Sequence, residues 1–146
     1  MKISLATLLG AGVMCVFLMG GVAHAFNQAD VAKLKATRGC PQCDLSGADL
    51  SNFDVSGGDL NGANLTNAVL IGANLSHADV DGANLTGAIL NSANLSGADL
   101  SGANLTKASL RQANLSNTNF QGTVLDYASW TDGTACLPGS VDKCKK

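Results

Sequence analysis

A bulky apolar residue stands at every fifth position of the chain from Leu45 to Trp130, without exception. A helix repeats every 3.6 residues and a strand every two, so this segment cannot be one regular element of either kind. A fixed short period over most of a chain is the signature of a stacked repeat architecture. The positions are Leu45, Leu50, Val55, Leu60, Leu65, Leu70, Leu75, Val80, Leu85, Leu90, Leu95, Leu100, Leu105, Leu110, Leu115, Phe120, Leu125 and Trp130.

Each five-residue unit divides into a short straight piece and a corner. The piece has a small residue, a polar residue and the bulky residue, as in Ala63-Asn64-Leu65, which predicts three residues of strand with the first and third pointing inward. The two residues that follow are Gly, Ser, Thr or Asn in most units, and these residues accept tight or left-handed backbone conformations. Segments 61–80, 81–100 and 101–120 align with one another, so four such sides close one coil. The sequence therefore predicts an all-β, square solenoid of about four coils, stacked ~4.8 Å apart into a rod of roughly 20 Å.

The tandem motif A(D/N)LXX resembles the pentapeptide-repeat family over residues 40–132. The resemblance implies a right-handed quadrilateral β-helix with Leu and Ala inside, and the handedness rests on it alone. One unit departs from the pattern, because Phe53 stands where Ala is usual while Val55 and Gly58 are smaller than their counterparts. We interpret this as an exchange of volume that keeps the core filled.

The first 25 residues have the composition of a secretory signal. Lys2 precedes an apolar run from Ile3 to Val22, and Ala23-His24-Ala25 predicts cleavage before Phe26. A membrane span, which needs ~20 apolar residues with anchoring flanks, is the alternative. The glycines of this run and its Ala-His-Ala end fit cleavage better. We expect an exported protein, located in the periplasm or an equivalent lumen or extracellular space.

Both ends of the solenoid are predicted to be capped, since open ends expose strand edges and core. Residues 26–39 fit a short N-terminal helix that Asn27 caps, that runs through Ala36 and that ends just before Gly39. Residues 133–146 form a C-terminal cap after the last repeat.

Four cysteines follow residue 25, namely Cys40, Cys43, Cys136 and Cys144, an even number suited to an oxidising compartment. Because the rod separates the two groups by roughly 20 Å and a disulfide needs Cα atoms within ~7 Å, the expected pairs are Cys40 with Cys43 and Cys136 with Cys144. The Cys-Pro-Gln-Cys spacing also allows a redox-active pair, but no thioredoxin-like βαβ pattern surrounds it.

The sequence offers little for catalysis. After residue 25 it has one histidine, His77, predicted at a solvated corner, and it has no glutamate. We expect no catalytic residue, no metal centre and no cofactor.

Quinolone-resistance members of the pentapeptide-repeat family shield DNA gyrase by mimicking DNA. The charge of this chain does not match that of DNA. Seven Asp and no Lys or Arg lie between Asp44 and Thr106, whereas duplex DNA carries about 12 charges over such a length. Export would also keep the protein from gyrase. No nucleic-acid partner is expected.

Two aligned surface features remain as candidate sites. Asp59, Asp79 and Asp99 are 20 residues apart and should stack on one side as a ladder that could hold a divalent cation, or could simply be solvated. Val69 and Ile89 occupy outward positions that are otherwise mostly polar, also 20 apart, with Ile71 beside them. Exposed apolar clusters often mark contacts, although β-branched residues also reinforce strands. The leading hypothesis is a non-enzymatic, exported module that presents a flat side to a protein partner or to another copy.

Overall fold

The structure is a computed structural model that describes residues 26–146. The predicted signal segment, residues 1–25, lies outside the described residues. No helix within residues 26–146 has the length and the apolar character needed to cross a membrane.

Helix α1 spans Gln28–Thr37 and closes the N-terminal end of the molecule. The Asn27 side chain caps it by accepting from the Ala29 N–H at 3.1 Å. Its buried residues are Val31 and Leu34, which join the core of the first coil. The helix ends in a left-handed residue, Arg38, whose φ is 58° and whose N–H bonds the Leu34 carbonyl. The helix thus runs one residue past the predicted Ala36, and Gly39 follows its C-cap.

The repeat forms a square coil in which each outward residue from Asp44 to Ser109 pairs in parallel with the residue 20 positions later. On the side that carries Asn64, for example, Leu65 N–H donates to the Asn84 carbonyl at 2.7 Å and Asn84 N–H donates to the Ala63 carbonyl at 2.9 Å. Each side is so short that the pairings are single bridges rather than long strands.

The four sides are named here by their outward residues. Side 1 carries Asp44, Asn64, Asn84, Asn104 and Val124; side 2 carries Asp49, Val69, Ile89, Ser109 and Ser129; side 3 carries Asp54, Asn74, Asn94 and Asn114; side 4 carries Asp59, Asp79, Asp99 and Asn119.

Corners turn the chain through a hydrogen-bonded turn, as where Ala48 N–H donates to the Leu45 carbonyl at 3.1 Å. The second corner residue has a positive φ, between 56° and 71°, at every corner from Gln42 to Tyr127. A type II turn requires this conformation at its third residue, which explains the frequency of Gly and Asn there.

The core consists of stacked Leu and Ala from all four sides, nearly all with no more than 2% of their surface exposed between Leu45 and Leu110. Gly58 also meets a constraint that the predicted exchange of volume with Phe53 did not include. A Cβ on Gly58 would lie 1.9 Å from the Arg38 carbonyl oxygen, so the path of the chain after α1 requires glycine there.

The C-terminal segment turns back over the last coil and pairs antiparallel with two of its sides. Val141 bridges Val124 on side 1, and Ala135 bridges Ser129 on side 2. Within the described residues, sides 3 and 4 of the last coil have no such bridge, and their inward residues, Leu115 and Phe120, are only half-buried. The predicted C-terminal cap is therefore present, and its bridges reach two of the four sides of the last coil.

Candidate functional site

The outward Asn and Asp residues are tied to the corner that follows them. Asn64 Oδ1 accepts from the Thr66 N–H at 3.2 Å and from the Thr66 hydroxyl at 2.7 Å. This Asx-type bond satisfies a corner N–H group that the coil pairing leaves free. The same N–H bond forms at Asp44, Asp49, Asp54, Asp59, Asn74, Asp79, Asn84, Asn94, Asp99, Asn104, Asn114 and Asn119.

Side 3 adds a continuous ladder of amide hydrogen bonds between coils. Asn74 Nδ2 donates to Asp54 Oδ1 at 3.1 Å, Asn94 Nδ2 to Asn74 Oδ1 at 3.3 Å, and Asn114 Nδ2 to Asn94 Oδ1 at 3.2 Å. A surface with its polar groups satisfied internally in this way has little left to offer a partner.

Side 2 breaks the pattern at two successive coils. Val69 bridges Ile89 in register, both are half-buried, and Ile71 at the adjoining corner is 42% exposed. Among residues 26–146, no side chain accepts the N–H of Ile71 or of Asn91, the corner residues that follow. These three apolar residues, Val69, Ile71 and Ile89, are called the apolar patch below.

Two cations stand on the coil directly above the apolar patch. Ser109 pairs with Ile89 on side 2, and Lys107 and Arg111 occupy the corners on either side of Ser109. Sequence reasoning missed this pairing with the patch, although the 20-residue register places positions 107–111 above 87–91.

The three carboxylates predicted to stack do lie in register on side 4, because Asp59 bridges Asp79 and Asp79 bridges Asp99. Hydrogen bonds from Ser101, through its side chain and its backbone N–H, lower the pKa of Asp99.

Within residues 26–146, one group of three possible ligands has its ligand atoms within 4.8 Å of one another, and it consists of Asp30, Cys40 and Cys43. The side 4 ladder is thus spread along the rod rather than gathered around one point, and cation binding there stays a prediction.

The cysteines form two disulfides, Cys40 with Cys43 and Cys136 with Cys144. Cys40 is 0% exposed and Cys43 6%, so the first bond lies in the core between α1 and the first coil. A buried disulfide in this place is suited to a structural clip, since exchange requires access by an attacking thiolate. His77 lies exposed at a left-handed corner with φ 57°.

Known proteins share this architecture. Residues 43–79, 68–106 and 103–129 match the family described as Pentapeptide repeats, in eight copies. The chain belongs to the pentapeptide-repeat family. That membership, together with the similarity to the Arabidopsis thaliana structure below, makes the solenoid a right-handed β-helix. Among curated protein sequences, none matches the chain.

Solved pentapeptide-repeat structures are similar to the chain over its repeats. A protein of the Arabidopsis thaliana thylakoid lumen is 38% identical, with a TM-score of 0.58, over 61% of this chain and 62% of its own. A protein from Nostoc PCC 7120 is 36% identical, with a TM-score of 0.43, over 63% of this chain and 74% of its own. The chain thus spans less than two thirds of the Arabidopsis protein's length.

Proposed function

We propose that this protein is an exported, non-enzymatic interaction module that binds a protein partner through the apolar patch. The observation that carries the proposal is the replacement of Asn or Asp by Val69 and Ile89 at two consecutive coils of one side. Each replacement forgoes a corner hydrogen bond, and an intramolecular hydrogen bond contributes about 1 kcal/mol. Apolar groups in contact with a partner would recover that loss through burial.

An exported location is supported by the leader-like residues 1–25 and by the two disulfides, which persist in oxidising compartments. The similarity to a protein of a thylakoid lumen agrees with such a compartment.

Photo-crosslinking in the native compartment tests the proposed contact. A photoreactive amino acid at position 71 or 89 should trap one protein reproducibly, whereas the same group at position 79, on the opposite side, should not. Equal trapping from both sides, or none from side 2, would contradict the proposal.

Cation binding by Asp59, Asp79 and Asp99 is a second candidate, supported by their stacking in register on side 4. Each carboxylate already accepts a corner N–H, which leaves one oxygen free for a cation. Calorimetry with calcium or magnesium decides it, because absence of heat at millimolar concentration would end this candidate.

A redox role for Cys40 and Cys43 is the weakest candidate, since both sulfurs are buried. It requires the pair to exchange with a small thiol under native conditions. Thiol titration that finds the native disulfide inert would exclude it.

A further inference from the structure

All unpaired cations of the repeat gather on the side that carries the apolar patch. Lys107 and Arg111 are the only Lys or Arg residues between Asp44 and Asp142. The described residues contain two ion pairs, Arg38 with Asp54 at 3.7 Å and Lys146 with Asp132, and neither involves Lys107 or Arg111. Both side chains are exposed, so they flank side 2 with free positive charge.

Between the two cations lies Ser109, on side 2. Ser109 is small and half-buried, and its hydroxyl donates to Asn91 Oδ1 at 2.6 Å. Arg111 also lines an open depression of about 600 Å³. The one carboxylate there belongs to Asp132, whose charge is met by Lys146 and by the Thr134 hydroxyl. The guanidinium therefore has room for an additional acceptor.

Charge changes along side 2 from one end of the rod to the other. At the N-terminal end stands Asp49. Hydrogen bonds from Ser51 lower the pKa of its carboxyl, and the positive charge of Lys35 adds to this effect. The apolar patch follows, and the two cations come last. A partner that matches this order must present its apolar part first and its negative charge toward the C-terminal end.

We propose that the partner of side 2 is an extended protein segment whose apolar residues cover the patch and whose acidic residue binds between Lys107 and Arg111. The proposal rests on the proposed function and names the chemistry of its partner. From Val69 to Ser109 there are two coil spacings, ~10 Å, which an extended chain covers in about three residues. The acidic residue should therefore stand about three positions from the one that covers Val69.

Carboxylate recognition suits these two side chains. Arginine holds a carboxylate by two parallel N–H bonds, and lysine adds a point charge. The carboxylates on side 4 repel an acidic segment, so long-range electrostatics steers it to side 2.

Selection from a random twelve-residue peptide library, panned on the protein purified from cells that express the full-length chain, tests the inference without a known partner. Selected peptides should pair β-branched or aromatic residues with an Asp or Glu about three positions away. Their affinity, measured by fluorescence anisotropy, should fall at least tenfold for K107Q/R111Q and little more when the peptide's acidic residue is also neutralised. The control D79N/D99N on side 4 should change affinity less than twofold, and thermal melts should show all variants folded.

The possible failures are distinct. Peptides that need Val69 and Ile89 but bind K107Q/R111Q normally would overturn the acidic segment and leave the apolar contact intact. Peptides indifferent to V69N/I89N would overturn the proposed function itself. Sedimentation that shows a dimer abolished by V69N/I89N would replace the segment by a second copy of the chain.

Discussion

Side 2 and side 3 of the same rod share one core and differ in what their outward residues do. On side 3, Asn74 and Asn94 each accept a corner N–H and each donate to the coil below. On side 2, Val69 and Ile89 do neither, and the nearby Ile71 is left exposed. Surface hydrogen bonding is therefore optional for this fold at individual sides, so one side is free to evolve as a binding surface.

A surface hydrogen bond contributes less to stability than a buried side chain does. A corner or inter-coil hydrogen bond contributes about 0.5–1.5 kcal/mol, whereas a buried leucine contributes about 2–5 kcal/mol relative to alanine. Inward residues should therefore contribute similarly to the free energy of unfolding on every side, whereas the contributions of outward residues should differ between sides 2 and 3.

The largest effect is expected from the core. Leu90→Ala beneath side 2 and Leu95→Ala beneath side 3 each remove a side chain that is 1% exposed. Both should lower the free energy of unfolding by about 2–5 kcal/mol, because each leaves a cavity in a close-packed column. Urea unfolding measures it, and a loss below about 2 kcal/mol in either variant would show that the core beneath that side is not close-packed.

A smaller loss is expected on side 3 from Asn94→Ala. The change removes the acceptor of the Ser96 N–H and both inter-coil bonds of this amide, which should cost about 1–2 kcal/mol. Asn94→Asp keeps the acceptor and loses only the donor, so it should fall between wild type and Ala in the same urea experiment. Full stability in the Ala variant would mean that the ladder contributes nothing.

On side 2 the corresponding change should have the opposite sign. V69N and I89N each introduce the acceptor that the next corner N–H lacks, so the free energy of unfolding should stay unchanged or rise by up to about 1 kcal/mol. The same variants should lose the peptide binding described above. A stability loss greater than about 1 kcal/mol for each would assign these residues a structural role in the strand instead.

The contrast between the sides was readable from the sequence to the extent that the period holds. The bulky and small positions predicted the core, and the 20-residue register predicted that Val69 lies beside Ile89. The same register implies that Lys107 and Arg111 lie above them, a consequence that the charge pattern alone did not bring out.

Features outside the period were not predictable in the same way. Glycine is required at position 58 by the close approach of the Arg38 carbonyl, and this contact depends on the path that the chain takes after α1. At the C-terminal end, the antiparallel pairings of Val141 with Val124 and of Ala135 with Ser129 follow no repeat rule.

The weakest effect concerns pH and the first outward residues of sides 2 and 3, Asp49 and Asp54. Hydrogen bonds from Ser51 lower the pKa of Asp49 on side 2, and those from Ser56, followed by the charge of Arg38, lower the pKa of Asp54 on side 3. A carboxyl whose pKa is lower folded than unfolded stabilises the fold above the unfolded value near pH 4, and this stabilisation is lost as pH falls through the folded value. Both carboxyls are exposed to solvent, so each contributes little. The urea midpoint should decrease between pH 6 and pH 2.5, and this decrease should be smaller in D54N than in wild type. In D49N the decrease should lie slightly closer to that of wild type, because the Asp49 carboxylate has neither an inter-coil amide donor nor a direct arginine partner. Identical pH dependence in wild type and both variants would show that these first-coil carboxylates, on either side, are thermodynamically silent.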